Sequence, residues 1–301
     1  MNSINYKLYK DYRDEKWLRE EFFDFAHQIF GLAFKEWYEY GCWNDSYICY
    51  SLVDRDRMVS NVSLSKFNVT INNEKKKAIQ LATVGTLEEY RGKGLSRFLM
   101  EKVLDEYQDD NDFVFLSAND TVVDFYPRFG FRRVPEYKFT ADLFNINNEK
   151  LKNESNKTRI RKLNIDNQED LAIIKRLFQK RIPLSQRFNI ENYISVFMWY
   201  IVNFYRESIW YIEDKDIVLV YQVDGQTLEV FDIISPANFD FTEVLTYLEL
   251  SGVKKMQVYF TPDILNIEVD NEAMIDEEPF FVLGGFPLEG KPFKVPQLAQ
   301  T

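Results

Sequence analysis

Two glycines and two cations, Arg91-Gly92-Lys93-Gly94, stand directly ahead of a run with helical spacing in this chain of 301 residues. The start of a helix leaves several N–H groups without an internal partner and carries partial positive charge, so an anion is a natural ligand there. Gly92 and Gly94 can take positive φ and let the backbone approach that anion closely, while Arg91 and Lys93 add charge suited to a polyphosphate. The same four residues would equally serve an ordinary turn from strand to helix. A triphosphate loop is excluded, because the long glycine spacing and its closing Gly-Lys-Ser/Thr are missing. So is a dinucleotide fingerprint, which opens a βαβ unit with a downstream acidic residue. Composition narrows the remaining chemistry. His27 is the single histidine, so a Ser-His-Asp site would have to use it. Cys42 and Cys49 are too few for a disulfide framework, and no Cys or His cluster has metal-ligand spacing, so no metal is expected. A formal charge of -11 argues against nucleic acid or anionic membrane as partners and mildly favours cationic small molecules.

The elements that would position this loop are readable from periodicity. A short strand closing at Lys7 to Lys10 precedes a helix with Leu18, Phe22, Phe25, Ala26 and Ile29 on one face, which Gly31 ends; a second short helix stops at Gly41. Three strand-like runs follow, "YICYSLV", "MVSNVSLSKFNV" and "KAIQLATVGTL", the last two joined by an Asn pair expected in a tight turn. This antiparallel meander leads into the glycines. Behind them Leu99, Met100, Val103, Leu104 and Tyr107 share a helical face. "FVFLSA" then reads as a strand covered on both faces. A helical stretch through "DTVVDFYPRF" and a final strand pair around "GFRRVPEYKFTADL" complete a unit ending near Leu143. The fold class is α/β (α+β), with a mixed, mostly antiparallel twisted sheet flanked by helices.

The length suggests two domains. The polar stretch "NINNEKLKNESNK" separates residues 1–145 from 158–301, with 146–157 as linker. The second part restarts the same element order, so the architecture is duplicated in pattern though hardly in identity. In that alignment "SPANFD", with a proline and no glycine, occupies the place of the glycine loop, and the second domain is expected to hold no such anion. The longest apolar run, Val196 to Tyr205, is too short to span a bilayer and the first residues lack a signal-peptide core, so the reading is a soluble, cytoplasmic protein.

Strand, Arg91-Gly92-Lys93-Gly94-Leu95-Ser96, helix, buried strand and "DFYPRFGF" together resemble the GNAT superfamily of N-acetyltransferases. The family's signature is Arg or Gln, two residues, Gly, one residue, then Gly or Ala. Arg91 and Gly94 fill the first and fourth places, and Ser96 departs at the sixth, where it is small and able to cap a helix start. The resemblance implies acetyl-CoA as co-substrate, its pyrophosphate on the amides of residues 91–96 and its pantetheine arm paired with the backbone of Val84, Gly85 and Thr86 like an added strand. Tyr126 lies seven residues after Asn119 and five before Phe131, as in the family's Asn, Tyr and Gly-Phe arrangement. The family thus implies that Asn119 bonds the pantetheine region and Tyr126 protonates the departing thiolate. A phenol near pKa 10, roughly, can do so while staying un-ionised at neutral pH. The alternative is that Phe125, Tyr126, Phe129 and Phe131 are core aromatics. In this mechanism an amine attacks the thioester directly.

The general base is open. Glu88 and Glu89 read as a solvated turn; Asp45, Glu36 and His27 are candidates that also suit a surface role. The resemblance is nearest to multi-domain GNAT proteins, including the enhanced-intracellular-survival type of aminoglycoside acetyltransferase, in which the terminal carboxylate reaches the active site. The end "GKPFKVPQLAQT" is apolar enough to pack, which places Thr301 as a candidate base; docking of the end on its own domain is the other reading. The second domain is expected to cover one side of the pocket for a small-molecule or peptide amine and to mediate homo-oligomerisation. A protein of another class, sensing CoA or scaffolding without turnover, is the alternative function.

Overall fold

The structure is a computed structural model that describes residues 6–119, 122–143, 159–274 and 279–301. After the edge strand β1 (Lys7–Lys10), helix α1 (Lys16–Phe30) buries Leu18, Phe22, Phe23, Phe25 and Ala26 at helical spacing, and Gly31, at φ 69°, ends it. The short α2 (Lys35–Glu39) sinks Trp37 into the core. Strands β2 (Tyr47–Asp54), β3 (Arg57–Ile71) and β4 (Glu74–Thr86) form the expected meander. Asn72 and Asn73 make the turn between β3 and β4, both at positive φ, as a two-residue hairpin loop requires. Next come α3 (Leu95–Tyr107), packed on β2, β3 and β4, and β5 (Phe113–Ser117), which runs parallel to β4.

The expected strand pair from Gly130 to Leu143 does not form. β6 (Arg132–Arg133) stays with the first sheet, whereas β7 (Glu136–Asp142) crosses into a second sheet. That sheet is built from β8 (Ile160–Lys162), β10 (Ile209–Ile212), β11 (Ile217–Asp224), β12 (Thr227–Ile234), β13 (Lys255–Val258) and β14 (Asp270–Met274). Between them lie α4 (Gln168–Lys180), β9 (Phe188–Glu191), α5 (Ile194–Tyr200), which continues as a π-helical turn over Ile201–Tyr205, and α6 (Phe241–Leu245). The last strand, β15 (Phe280–Gly284), returns the exchange by lying between β5 and β6. β9 also joins the first sheet, antiparallel to the far end of β3.

The two sheets therefore have one plan. The first reads β1-β2-β3-β4-β5-β15-β6, and the second, from its other end, β8-β10-β11-β12-β13-β7-β14. Among the described residues each has a single parallel pair, β4 with β5 and β12 with β13, and each receives its sixth strand from the other half of the chain. Limits drawn at 1–145 and 158–301 leave β7 of the first part in the second sheet and β9 and β15 of the second part in the first; linker residues 146–157 lie outside the described residues. One apolar core runs without interruption from Phe22, Val62 and Leu99 through Phe197 on α5 to Val218 and Val220 on β11. The opposite face of β11, Leu219 and Tyr221, belongs to a second core with Val244 and Met256. No helix among the described residues is long and apolar enough to cross a membrane.

Candidate active site

The glycine loop takes the conformation that its residue types allow. β4 ends at Thr86, Leu87 donates its N–H to the Val59 carbonyl at 2.9 Å, and a three-ten turn over Glu88–Tyr90 leads to an extended Arg91. Gly92 and Gly94 sit at φ 75° and 79°, and a Cβ at either would meet open space. Their need for glycine is conformational, and the space beside them is free for a ligand. Helix α3 starts after Gly94, with no side chain among the described residues capping it and no acid in its first turn. Its first backbone bond runs from the Phe98 N–H to the Gly94 carbonyl at 3.0 Å, so the amides before Phe98 point out of the helix start. Ser96 does not cap the helix. Its hydroxyl lies 2.6 Å from that of Thr86 and ties α3 to the end of β4. Arg91 Nε donates to the Thr86 carbonyl at 3.3 Å, and Lys93 Nζ stands 4.4 Å from the centre of the Tyr90 ring.

Beside the loop the first sheet opens. β4 and β5 pair only over Ala78–Gln80 and Phe113–Phe115. A bulge on β4 opposite Val62, with Thr83 at φ 43°, bends the rest of that strand, and from Leu81 to Thr86 its β5-facing edge takes no strand partner among the described residues. Val84, Gly85 and Thr86 lie half-buried along this free edge. Gly85 answers to α1 as well, because a Cβ there would come within 2.8 Å of the Phe30 ring. The end of α1 thus forms a wall over the opening. Trp199 extends that wall from the second half of the chain, its indole N–H bonding the Ala33 carbonyl at 2.9 Å.

Across the opening, Asn119 follows β5 on the surface, and its carbonyl accepts from the Val122 N–H at 3.1 Å. Tyr126 heads a three-ten turn, Tyr126–Phe129, that Gly130 closes at φ 87°. Only 5% exposed, its ring packs against Phe125, Phe131 and Phe281 at centroid distances of 5.3, 6.1 and 5.6 Å. Burial pushes the phenol up to about 12. Phe281 belongs to β15, so a strand from the far end of the chain seats this tyrosine. No local pattern in the sequence could have shown that contact, or that of Trp199, because both depend on how the halves interlock.

The candidate bases are scattered. Asp45 pairs with Arg13 at 2.7 Å, Glu36 with Arg206, and Glu89 with Arg57 at 2.7 Å, while Glu88 and His27 are exposed. The chain end is packed: Leu298, Ala299 and Gln300 are buried and Thr301 is half-buried. Neither the Gln300 amide nitrogen nor the Thr301 hydroxyl has a hydrogen-bond partner among the described residues. Among the described residues no group of His, Cys, Asp and Glu could hold a metal.

Residues 17–134 match the family model of the acetyltransferase (GNAT) domain. The match stops just short of β7, the strand that leaves for the second sheet. Among solved structures the chain is similar to a probable N-acyltransferase from Enterococcus faecalis V583, at 15% identity and a TM-score of 0.57, covering 92% of this chain and 72% of that one. It is also similar to Eis1 from Mycobacterium abscessus, at 12% and 0.54, covering 92% and 73%. For a GCN5-related N-acetyltransferase from Kribbella flavida the values are 15% and 0.53, covering 92% and 71%. Such identities speak for the fold, and the likeness extends over both halves. No curated protein matches the chain in sequence.

Proposed function

We propose, from the match of residues 17–134 to the acetyltransferase (GNAT) domain, that the chain moves an acetyl group from acetyl-CoA to a primary amine, with Tyr126 as general acid. The observation that carries this reading is the uncapped, glycine-opened start of α3 beside a free strand edge, with a buried phenol beyond the next strand. The amides of Gly92 to Ser96, with Arg91 and Lys93, hold the pyrophosphate. The pantetheine arm lies along Val84, Gly85 and Thr86 and is bonded by Asn119.

A neutral amine attacks the thioester carbonyl carbon, and an N–H of the β4 edge supports the oxyanion that forms. On collapse the C–S bond breaks, its electron pair goes to sulfur, and the Tyr126 hydroxyl delivers its proton to the thiolate. The nitrogen gives up a proton to a base, for which Thr301 is the proposed group, and the phenolate is reprotonated. The products are the acetamide and the CoA thiol. A phenol held up at about 12 is fully protonated at neutral pH, as a donor must be.

Calorimetry with acetyl-CoA on the wild type and on Gly94→Trp tests the site, followed by thiol release with a panel of amines. Binding in the wild type and its loss in the variant, with near-UV circular dichroism unchanged, is the expected result. A wild type that binds no acetyl-CoA would reduce the loop to a turn and end the enzymatic reading, and binding without turnover of any amine would favour a CoA sensor.

A further inference from the structure

The second sheet repeats the opening of the first, and something already lies in it. β12 and β13 pair in parallel only over Thr227–Val230 and Lys255–Val258, after which β12 bulges at Phe231 and runs on to Ile234. In a continuing parallel ladder Tyr259 would donate to Val230 and accept from the next rung of β12. The first bond is made, Tyr259 N–H to Val230 O at 2.9 Å, but the Tyr259 carbonyl accepts from the Gln297 N–H, also at 2.9 Å. A three-ten turn over Gln297–Ala299 stands where the strands part, against β12 on one side and α5 on the other.

We propose that this parting is a groove of the kind seen beside β4 and that the chain's own segment Phe293–Ala299 is its fixed occupant. That the groove corresponds to a cofactor groove rests on the acetyl-CoA reading of the first domain; that it is occupied does not. Besides Gln297, three residues of the segment are held by hydrogen bonds. Tyr137 N–H bonds the Phe293 carbonyl at 2.9 Å. The buried Thr261 hydroxyl accepts from the Lys294 N–H at 2.8 Å and donates to the Lys294 carbonyl at 2.9 Å. Glu136 Oε1 accepts from the Val295 N–H at 2.8 Å and stands 3.6 Å from Lys294 Nζ, a charge pair that is almost wholly buried. Phe293, Val295, Leu298 and Ala299 are each 0% exposed. The anion end of the groove is closed too: Asp240 caps the five-residue α6 by accepting from the Thr242 N–H, placing a carboxylate where α3 offers bare amides.

Hydrogen exchange read by mass spectrometry on the full chain tests the occupant. Peptides covering 293–299 should exchange as slowly as those of β12 and β13. Gln297→Pro removes the N–H that bonds the Tyr259 carbonyl, at a first-turn position that tolerates proline, and Thr261→Val removes the hydroxyl that holds Lys294. Each should speed exchange of 293–299 and of 231–234 by roughly tenfold, the loss of one or two hydrogen bonds, while β2 to β4 stay unchanged. Acetyl-CoA should bind at one equivalent per chain. Free exchange of 293–299 in the wild type, no change in either variant, or two equivalents of acetyl-CoA would overturn the proposal. Slow exchange with no acetyl-CoA bound would leave the occupant standing and remove the cofactor reading instead.

Discussion

At the scale of single residues, Tyr126 carries the most testable chemistry. If Tyr126 is the general acid proposed above, Tyr126→Phe should lower kcat by about 10²–10⁴ while acetyl-CoA binding is kept, because only the proton donor is lost. Its pKa also bears on stability. The folded value is raised to about 12 against roughly 10 when unfolded, so the stabilisation from keeping it neutral is complete below pH 10 and lost as pH rises through 12. Between those limits the wild type should lose on the order of 2–3 kcal/mol that Tyr126→Phe retains, which denaturant melts at pH 9 and 11.5 would show. Removing Gln300 and Thr301, which leaves buried Ala299 in place, should depress turnover without affecting cofactor binding; full activity in the shortened chain would exclude Thr301 as base. The turn at Gly92 and Gly94 and the start of α3 were legible in the sequence because their demands are local: positive φ at two glycines and a helical face behind them. Phe281 was not, since its contact with Tyr126 arises only when β15 returns to the first sheet.

At the scale of elements, α3 and α6 show how similar positions come to do different things. Gly94 leaves the first helix open, and Asp240 closes the second. Behind α6's strand, the buried Asp232 takes two bonds from Arg181, at 3.2 and 2.7 Å, and one from the Tyr193 hydroxyl at 2.6 Å. Asp232→Ala would strand a guanidinium in the core and should cost about 3–5 kcal/mol, measurable by urea unfolding. The long helices and the meander were legible from periodicity, down to the Asn72-Asn73 turn. β14 was not, because Asp270–Met274 is polar and lies on an edge, without the alternation that marks a half-buried strand. β9 and the crossing of β7 were hidden for another reason: pattern says that a segment is a strand and not which sheet will take it.

At the scale of the whole molecule, the exchange of β7 and β15 and the shared core make the halves dependent on one another. Calorimetric unfolding should show one transition, and residues 1–145 alone should collect in aggregates, since β5 would present a bare edge where β15 belongs. Two separate transitions, or a soluble first half that binds acetyl-CoA, would count against this interdependence. The same exchange sets a timetable for biosynthesis. When β5 leaves the ribosome its partner strand has not been translated, and at about 5–20 residues per second the wait lasts on the order of ten to thirty seconds. For that interval the nascent chain carries a half-built catalytic sheet, and the tyrosine seat is finished only near the end of synthesis. Chaperone capture should therefore fall on ribosomes stalled between these two strands and cease once residue 284 is clear of the exit tunnel.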